Sequence, residues 1–294
     1  MQINNRTVQE AHLWASSFLA EKNLEEPIGE LLLRHYLQVD RTHFLMMLQE
    51  PLATKWWEQL QKDLERHASG IPIQYLIGYE SFYGRRFHVN RHVLIPRPET
   101  EELVMTVSEW AKEIVGNQEV DVVDVGTGSG AIAVTLALEN PNMNVTAIDI
   151  SRDALKVAEA NADSLRANVE FIHGDLLTPF IAEKRKVDII VSNPPYIPLR
   201  DKADLAVHVK EHEPHLALFG GEDGLDLYRR FIIELPKVIK KRGIIAFEVG
   251  DGQAQAVCSM LSTTFPQANT KVKTDINKKE RIVLAYGAMT TEKM

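Results

Sequence analysis

The segment Ser192-Asn193-Pro194-Pro195-Tyr196-Ile197-Pro198 concentrates hydrogen-bond acceptors on a stiff backbone. A residue that precedes proline is driven out of the helical region, so Asn193 and Pro194 are both held extended. Proline has no N–H, so Pro194 and Pro195 offer carbonyl oxygens without competing donors. The Asn193 side-chain oxygen adds another acceptor. Such an array suits a planar NH₂ group, with Tyr196 as an aromatic wall beside it. A carboxamide or aryl-amine nitrogen is a weak nucleophile because its lone pair is delocalised. Two acceptors on its hydrogens aim the nitrogen at an electrophilic methyl and stabilise positive charge as it develops. No general base is required beforehand, since the proton can leave afterwards. Hydride transfer has no use for this array.

A second constellation lies upstream. Asp124-Val125-Gly126-Thr127-Gly128-Ser129-Gly130 runs into the helical Ala131-Ile132-Ala133-Val134. Glycines there let the backbone turn sharply and approach a ligand that a Cβ would exclude. Asp149 closes the next β-prone run, where a carboxylate can accept from both hydroxyls of a ribose. Asp175 and Leu176, in His173-Gly174-Asp175-Leu176, follow the third run, with Asp175 facing an adenine amino group and Leu176 against its ring. Gly126, Thr127, Gly128, Ser129, Gly130, Asp149, Asp175, Leu176 and Asn193 are therefore the candidate cofactor residues. Asn193, Pro194, Pro195 and Tyr196 are the candidate substrate residues, with Asn193, Pro194 and Tyr196 as the candidate catalytic set. The glycine spacing also satisfies the dinucleotide fingerprint, so the loop by itself fits a nicotinamide cofactor as well as S-adenosylmethionine. A sulfonium donor makes the step a simple in-line displacement.

These residues need strands beneath them. Runs at Val120–Val125, Asn144–Asp149, Val169–His173, Val187–Val191 and Gly243–Val249 alternate with helical patterns near 131–139, 152–166, 226–241 and 253–264. Alternation of this kind implies a parallel sheet with helices on both faces. Thr270–Thr274 and Arg281–Tyr286 are joined by a connection too short for a crossover, so the last pair is antiparallel. The fold class is α/β: a doubly wound, mostly parallel sheet with a C-terminal antiparallel hairpin, preceded by a small helical bundle. The expected division is a bundle over 1–70, a linker with a β-hairpin over 71–98, and the catalytic domain over 99–294. In the bundle, apolar stripes include Trp14, Phe18, Leu32, Leu33, Trp56, Leu60 and Leu64, with the tryptophans read as core residues. Pro27 and Pro51 sit where helices could begin, and a further helix is expected from Pro98 to near Gly116.

Composition narrows the class. The chain has 294 residues and a net charge of −8, from 33 basic and 41 acidic side chains. That balance argues against a large phosphate-binding face and so against direct nucleic-acid binding. No apolar run approaches the roughly 20 residues that span a bilayer. The N-terminal MQINNRTVQEAHLWASSFLAEKN is too polar for a signal peptide, so no membrane association and cytoplasmic residence are expected. The single Cys258 excludes an internal disulfide framework, and it reads as a small core residue on an amphipathic helix. His208, His212 and His215 have a metal-like rhythm, but Pro214 interrupts the helix that would align them, and no metal is expected. Lys278, Lys279 and Arg281 read as a solvated turn. Phe82 borders the cofactor or packs in the hairpin, and Arg97 and Glu99 line a channel or cap a helix.

Together these motifs resemble the HemK/PrmC family, the peptide chain release factor N5-glutamine methyltransferases of the class I S-adenosylmethionine-dependent type. Supporting segments are Ile71–Gly78, Leu94–Glu101, Asp124–Ala133, Asn193–Pro198, Glu213-Pro214 with Ala217-Leu218, and Gly220–Leu225. The resemblance covers essentially the whole chain. It implies methylation of the glutamine in the Gly-Gly-Gln motif of release factors, with S-adenosylmethionine as donor and S-adenosylhomocysteine as product. Asn193 and Pro194 would accept from the substrate amide, the glycine loop would hold the methionine part, Asp149 the ribose and Asp175-Leu176 the adenine. Some relatives carry tryptophan where Leu176 stands. The helical bundle is implied to dock the release factor. Two other readings are a DNA adenine N6-methyltransferase, which would have to flip a base and grip phosphates, and a non-catalytic translation-factor-binding protein.

Overall fold

The computed structural model describes residues 6–116 and 118–291. Residues 1–5, the start of the segment read as too polar for a leader, lie outside them. Two units are distinguished, residues up to Gly78 together with Ala206–His212, and Tyr79–Leu205 together with the rest from Glu213.

The first unit is helical. Its elements are α1 (Val8–Glu21), α2 (Pro27–Leu37), α3 (Arg41–Met46), α4 (Thr54–Ala68) and α5 (Ile73–Ile77). Thr7 and Glu10 exchange hydrogen bonds with each other's backbone N–H and cap α1 reciprocally, worth about 1 kcal/mol. Pro27 opens α2, whereas Pro51 opens nothing, because α4 starts at Thr54 after an Ala53 cap. Leu19, Leu32, Leu33, Phe44, Leu60 and Leu64 form the buried centre. The tryptophans differ from expectation. Trp14, Trp56 and Trp57 are half-buried, with Trp56 stacked on Tyr36 and Trp14 edge-on to Trp57. A ring of that size stays at the rim once leucines fill so small an interior. The short helix α5 also departs from the expected linker. Pro72 precedes it, Ile73 and Ile77 bury one face, and Gly78 ends it at φ +83°.

The second unit begins with the hairpin β1 (Tyr79–Phe82) and β2 (Arg85–His88), then α6 (Pro98–Val115). There follow β3 (Val120–Val125), α7 (Ala131–Glu139), β4 (Met143–Asp149), α8 (Arg152–Leu165), β5 (Val169–His173), α9 (Thr178–Glu183) and β6 (Val187–Ser192). A helical turn, α10 (Val207–His212), belongs to the first unit. The remainder is α11 (His215–Leu218), α12 (Asp226–Val238), β7 (Ile239–Glu248), α13 (Ala254–Thr264), β8 (Ala268–Thr274) and β9 (Glu280–Ala288).

Seven strands form one sheet in the order β5-β4-β3-β6-β7-β9-β8. The first five are parallel to one another, and β9 pairs antiparallel with both β7 and β8. Alternate residues feed two cores, as a pleated strand requires. Val120, Val122, Ile189, Val191, Ile244 and Ala246 join the core that includes residues of α6 and α7. Val123, Val125, Ile190, Ile245 and Phe247 join the core with α12 and α13. The doubly wound sheet with its terminal hairpin is as expected. One boundary is not: α12 stops at Val238 rather than 241, and β7 begins at Ile239 rather than Gly243. Ile239 pairs with Val187, and Lys240 Nζ reaches the Asp121 and Asp188 carboxylates at 2.9 and 2.7 Å. Two carboxylates on neighbouring strands hold that lysine in the sheet. Among the described residues, no helix is long and apolar enough to cross a membrane.

Candidate active site

A cavity of about 220 Å³ lies within the second unit at the carboxyl ends of the parallel strands. This is the crevice where open α/β sheets take ligands. Gly126 and Gly128 after β3, Asp149 at the end of β4, Asp175 and Leu176 after β5, and Asn193 and Pro195 after β6 all line it. Thr127, Ser129, Gly130, Pro194 and Tyr196 are not among its lining residues.

Carboxylates and backbone fix the glycine loop. Gly126 and Thr127 donate their N–H groups to the Ile148 carbonyl of β4. Gly128 donates to Asp149 Oδ2 at 2.8 Å, and Ser151 donates to Asp149 Oδ1 at 2.8 Å. Asp149 is buried, which pushes its pKa up, while those N–H groups pull it back. Beneath the loop, Asp124 Oδ2 accepts from Thr127 Oγ1 at 2.6 Å and from the Ala133 N–H at 3.2 Å. It thus caps α7 from the strand below. Complete burial pushes Asp124 up to about 7, against the pull of those two donors. Asn161 adds a clamp: its Nδ2 donates to Ser129 O and His88 O, and its Oδ1 accepts from His88 N. Gly126 and Gly128 have φ of +75° and +56°, and a Cβ at either would meet nothing within 4 Å. Open space over a left-handed backbone is what a ligand cradle provides.

The turn after β6 is tied on every side. Ser192 Oγ donates to the Val125 carbonyl at 2.6 Å, joining β6 to β3 just below the cavity. Downstream, Ile197 N–H donates to Leu218 O and Gly220 N–H to Ile197 O. Gly220 and Gly224 pack so closely that a Cβ would fall 2.5 Å from the Pro195 oxygen and 2.2 Å from the Tyr196 oxygen. Gln253 Nε2 donates to the Tyr196 carbonyl at 2.9 Å. Asn193 Nδ2 donates to Thr100 Oγ1 at 3.2 Å, and Thr100 Oγ1 donates to Glu248 Oε2 at 2.7 Å. Tyr196 Oη donates to Glu248 Oε1 at 3.4 Å. Burial pushes the Tyr196 hydroxyl up, and the charge of Glu248 reinforces it. With Asn193 Nδ2 committed, its Oδ1 is the acceptor it has to offer.

Several lining residues are not among the candidate site residues, although Leu94, Pro214 and Ala217 fall in segments that carry the family resemblance. Arg230 of α12 lines the cavity and pairs with Asp175 Oδ2 at 2.6 Å. His92, Val93 and Leu94 form one wall, and Pro214, Leu216, Ala217 and Phe219 another. Glu213, its side chain buried, joins these walls by accepting from Arg97 at 2.6 Å and Ile95 N–H at 3.3 Å. Arg97 is the N-cap residue of α6 but makes no side-chain cap. Phe82 is buried edge-on to Phe87 in the hairpin core and lies outside the cavity lining. Cys258 is half-buried against the α12–α13 core. Arg281, expected in a solvated turn, instead donates to Asp275 Oδ2 and to the Val249 carbonyl, and its side chain is only 14% exposed. His208 and His212 sit on α10 and His215 starts α11. Among the described residues, no group of three or more His, Cys, Asp or Glu is placed to hold a metal ion.

Residues 107–212 match the methyltransferase small domain family, and residues 10–78 match the PrmC N-terminal domain. A release factor glutamine methyltransferase of Bacillus cereus is 52% identical over 278 residues, covering 95% of this chain and 98% of the relative. That of Bacillus subtilis is 49% identical over 281 residues, again 95% and 98%. The chain belongs to the release factor glutamine methyltransferase family. Its sheet also resembles solved methyltransferases of low sequence identity. The T. thermophilus 16S rRNA methyltransferase RsmC, in complex with AdoMet and guanosine, has a TM-score of 0.50 at 17% identity, covering 71% of this chain and 49% of that one. As a member of that family, the chain is a methyltransferase, and the match to these relatives covers 95% of it.

Proposed function

We propose that this chain transfers a methyl group from S-adenosylmethionine to the N5 side-chain nitrogen of the glutamine in the Gly-Gly-Gln motif of peptide chain release factors, in the cytoplasm. One observation carries the reading. Asn193, with its Nδ2 tied to Thr100, lines the same cavity as Gly126, Gly128 and Asp149. A carboxamide acceptor and an open glycine cradle therefore share one space. The names and near-complete coverage of the relatives support the substrate, and the AdoMet held by RsmC supports the donor.

The residues fit the donor. Gly126 and Gly128 offer a backbone concavity with room above it, Asp149 offers carboxylate oxygens for ribose hydroxyls, and Leu176 offers an apolar surface for the adenine beside Asp175. The bound donor supplies an electrophilic methyl on sulfur. Asn193, which lines the cavity, would accept one hydrogen of the glutamine amide through its Oδ1, and the family resemblance implies the Pro194 carbonyl as acceptor of the other, so that the nitrogen is held toward that methyl. Positive charge would grow on nitrogen as it takes the methyl from sulfur, and the same oxygens would stabilise that charge. The proton then leaves to water, giving N5-methylglutamine. Tyr196, anchored to Glu248, braces the turn. The helical unit docks the release factor, for which the half-buried cluster of Trp14, Phe18 and Trp57 and the exposed Leu13 and Met46 supply apolar surface.

The test incubates the protein with methyl-labelled S-adenosylmethionine and either purified release factor or unmethylated DNA. Label on the factor, lost when its motif glutamine is replaced, is the expected result. Label confined to DNA would overturn the substrate. Label on neither would point to a binding protein.

A further inference from the structure

A primary carboxamide has two ends of nearly equal shape, and a half-turn exchanges an acceptor for two donors. Asn193 binds an NH₂ group only with Oδ1 toward the cavity; reversed, it would favour a carbonyl. Something must choose. We infer that Thr100 and Glu248 form a one-way hydrogen-bond relay that fixes the Asn193 carboxamide with its oxygen toward the cavity, making both of them positioning residues for transfer to an NH₂ group. The inference rests on the proposed function, and one arm of its test stands independently of it.

The direction follows by elimination. An ionised carboxylate only accepts, so the single hydrogen of the Thr100 hydroxyl goes to Glu248 Oε2, 2.7 Å away. The Thr100 oxygen is then left as an acceptor, and at 3.2 Å it can face only the NH₂ end of Asn193. Thr100 and Glu248 are 5% and 1% exposed, so water does not compete for either. Glu248 lies on β7 with the residues that face α6, which places it under Thr100 in the first turns of that helix. Its other oxygen takes the Tyr196 hydroxyl. One carboxylate therefore holds both ends of the four-residue turn, Asn193 through Thr100 and Tyr196 directly.

The groups facing Glu248 are Thr100 and Glu99 of α6, Tyr196 of the turn and Arg281 of β9, while Tyr228 of α12 donates to its backbone carbonyl. Burial outweighs the pull of Thr100, Arg281 and Tyr196 and pushes the carboxyl up to about 7. Below that pH the acid carries a hydrogen of its own and can donate to Thr100. The hydroxyl then donates onward, and the carboxamide turns its NH₂ end to the cavity. Transfer is thus expected to fall on the acid side of neutrality.

The experiment measures kcat and KM with labelled S-adenosylmethionine and release factor from pH 6 to 9. The proteins are the wild type, Thr100→Val, Thr100→Ser and Glu248→Gln, with S-adenosylmethionine affinity by calorimetry as the folding control. Thr100→Val should lower kcat at least ~10-fold, the scale of a lost transition-state hydrogen bond, with donor affinity unchanged. Thr100→Ser should restore most of it. Glu248→Gln can keep its carbonyl toward Thr100 and its NH₂ toward Tyr196, so its profile should lose the acid limb. Wild-type kcat in Thr100→Val, or Thr100→Ser as poor as valine, would overturn the relay. The independent arm follows the Asn193 side-chain NH₂ signals by NMR, assigned by their loss in Asn193→Asp. Slow hydrogen exchange that persists in Thr100→Ser and vanishes in Thr100→Val supports the relay, and signals indifferent to Thr100 overturn it. If the wild type labels no release factor, the substrate reading falls while this arm still decides the relay.

Discussion

The glycine loop over 126–130 and the turn over 193–196 border the same cavity, yet different atoms hold them. Backbone N–H groups at Gly126, Thr127 and Gly128 bind the loop to Ile148 O and Asp149, and Asp124 and Asn161 support it from below. The turn has two prolines and few N–H groups to offer, so side chains anchor it: Asn193 to Thr100, Tyr196 to Glu248, and Gln253 to a carbonyl. The loop therefore depends on its backbone conformation, while the turn is stiff in backbone and exacting in side-chain chemistry. Altering the loop should change how well the protein folds or binds its donor, and altering the turn should change how fast it works.

The largest test of that contrast is Asn193→Ala, for which we expect kcat to fall ~10²–10³-fold while donor affinity changes less than ~3-fold, because the lost acceptor acts chiefly as charge grows on nitrogen. Single-turnover assays with calorimetry separate the two quantities, and equal losses in both would erase the distinction. Next is Asn161→Ala, which strands the His88 N–H and two carbonyls beneath the loop. Urea unfolding should show a loss of about 2–4 kcal/mol, with turnover per folded molecule kept near wild type. A smaller effect concerns Asp124. It holds its proton up to about 7 when folded, against an ordinary 3.8, so its contribution to stability is full below about pH 4 and lost as pH rises through 7. In Asp124→Asn, stability measured from pH 5 to 8 should decline less steeply than in the wild type, by on the order of 2 kcal/mol; parallel curves would contradict this. Smallest is Arg230→Ala, which breaks a half-exposed pair with Asp175 and should shift thermal stability by less than ~1 kcal/mol.

Much of the architecture is written locally. β3, β4 and β6 are buried on both faces and stand out as apolar runs, and the glycines and the Pro194-Pro195 pair mark the two loops through the conformations that only those residues favour or enforce. What escapes the sequence is assembled at long range. Thr100 and Glu248 are 148 residues apart, and nothing adjacent to either announces the other. Arg281 sits among lysines and reads as solvated until Asp275 and the Val249 carbonyl are seen beside it. Arg230 occupies a helix face that periodicity assigns to water. The start of β7 is hidden for the same reason: Lys240 resembles a polar helix position, and only its two carboxylate partners on neighbouring strands show that it lies in the sheet.

The placement of β9 has a consequence for a chain made from its N-terminus onward. Glu248 and its strand find their outer neighbour only when residues 280–288 have slid between β7 and β8. Until then the carboxylate that steadies the working turn sits on an open sheet border, within reach of water and without Arg281 nearby. Residues 280–288 must thus have been synthesised before the support of the turn is complete.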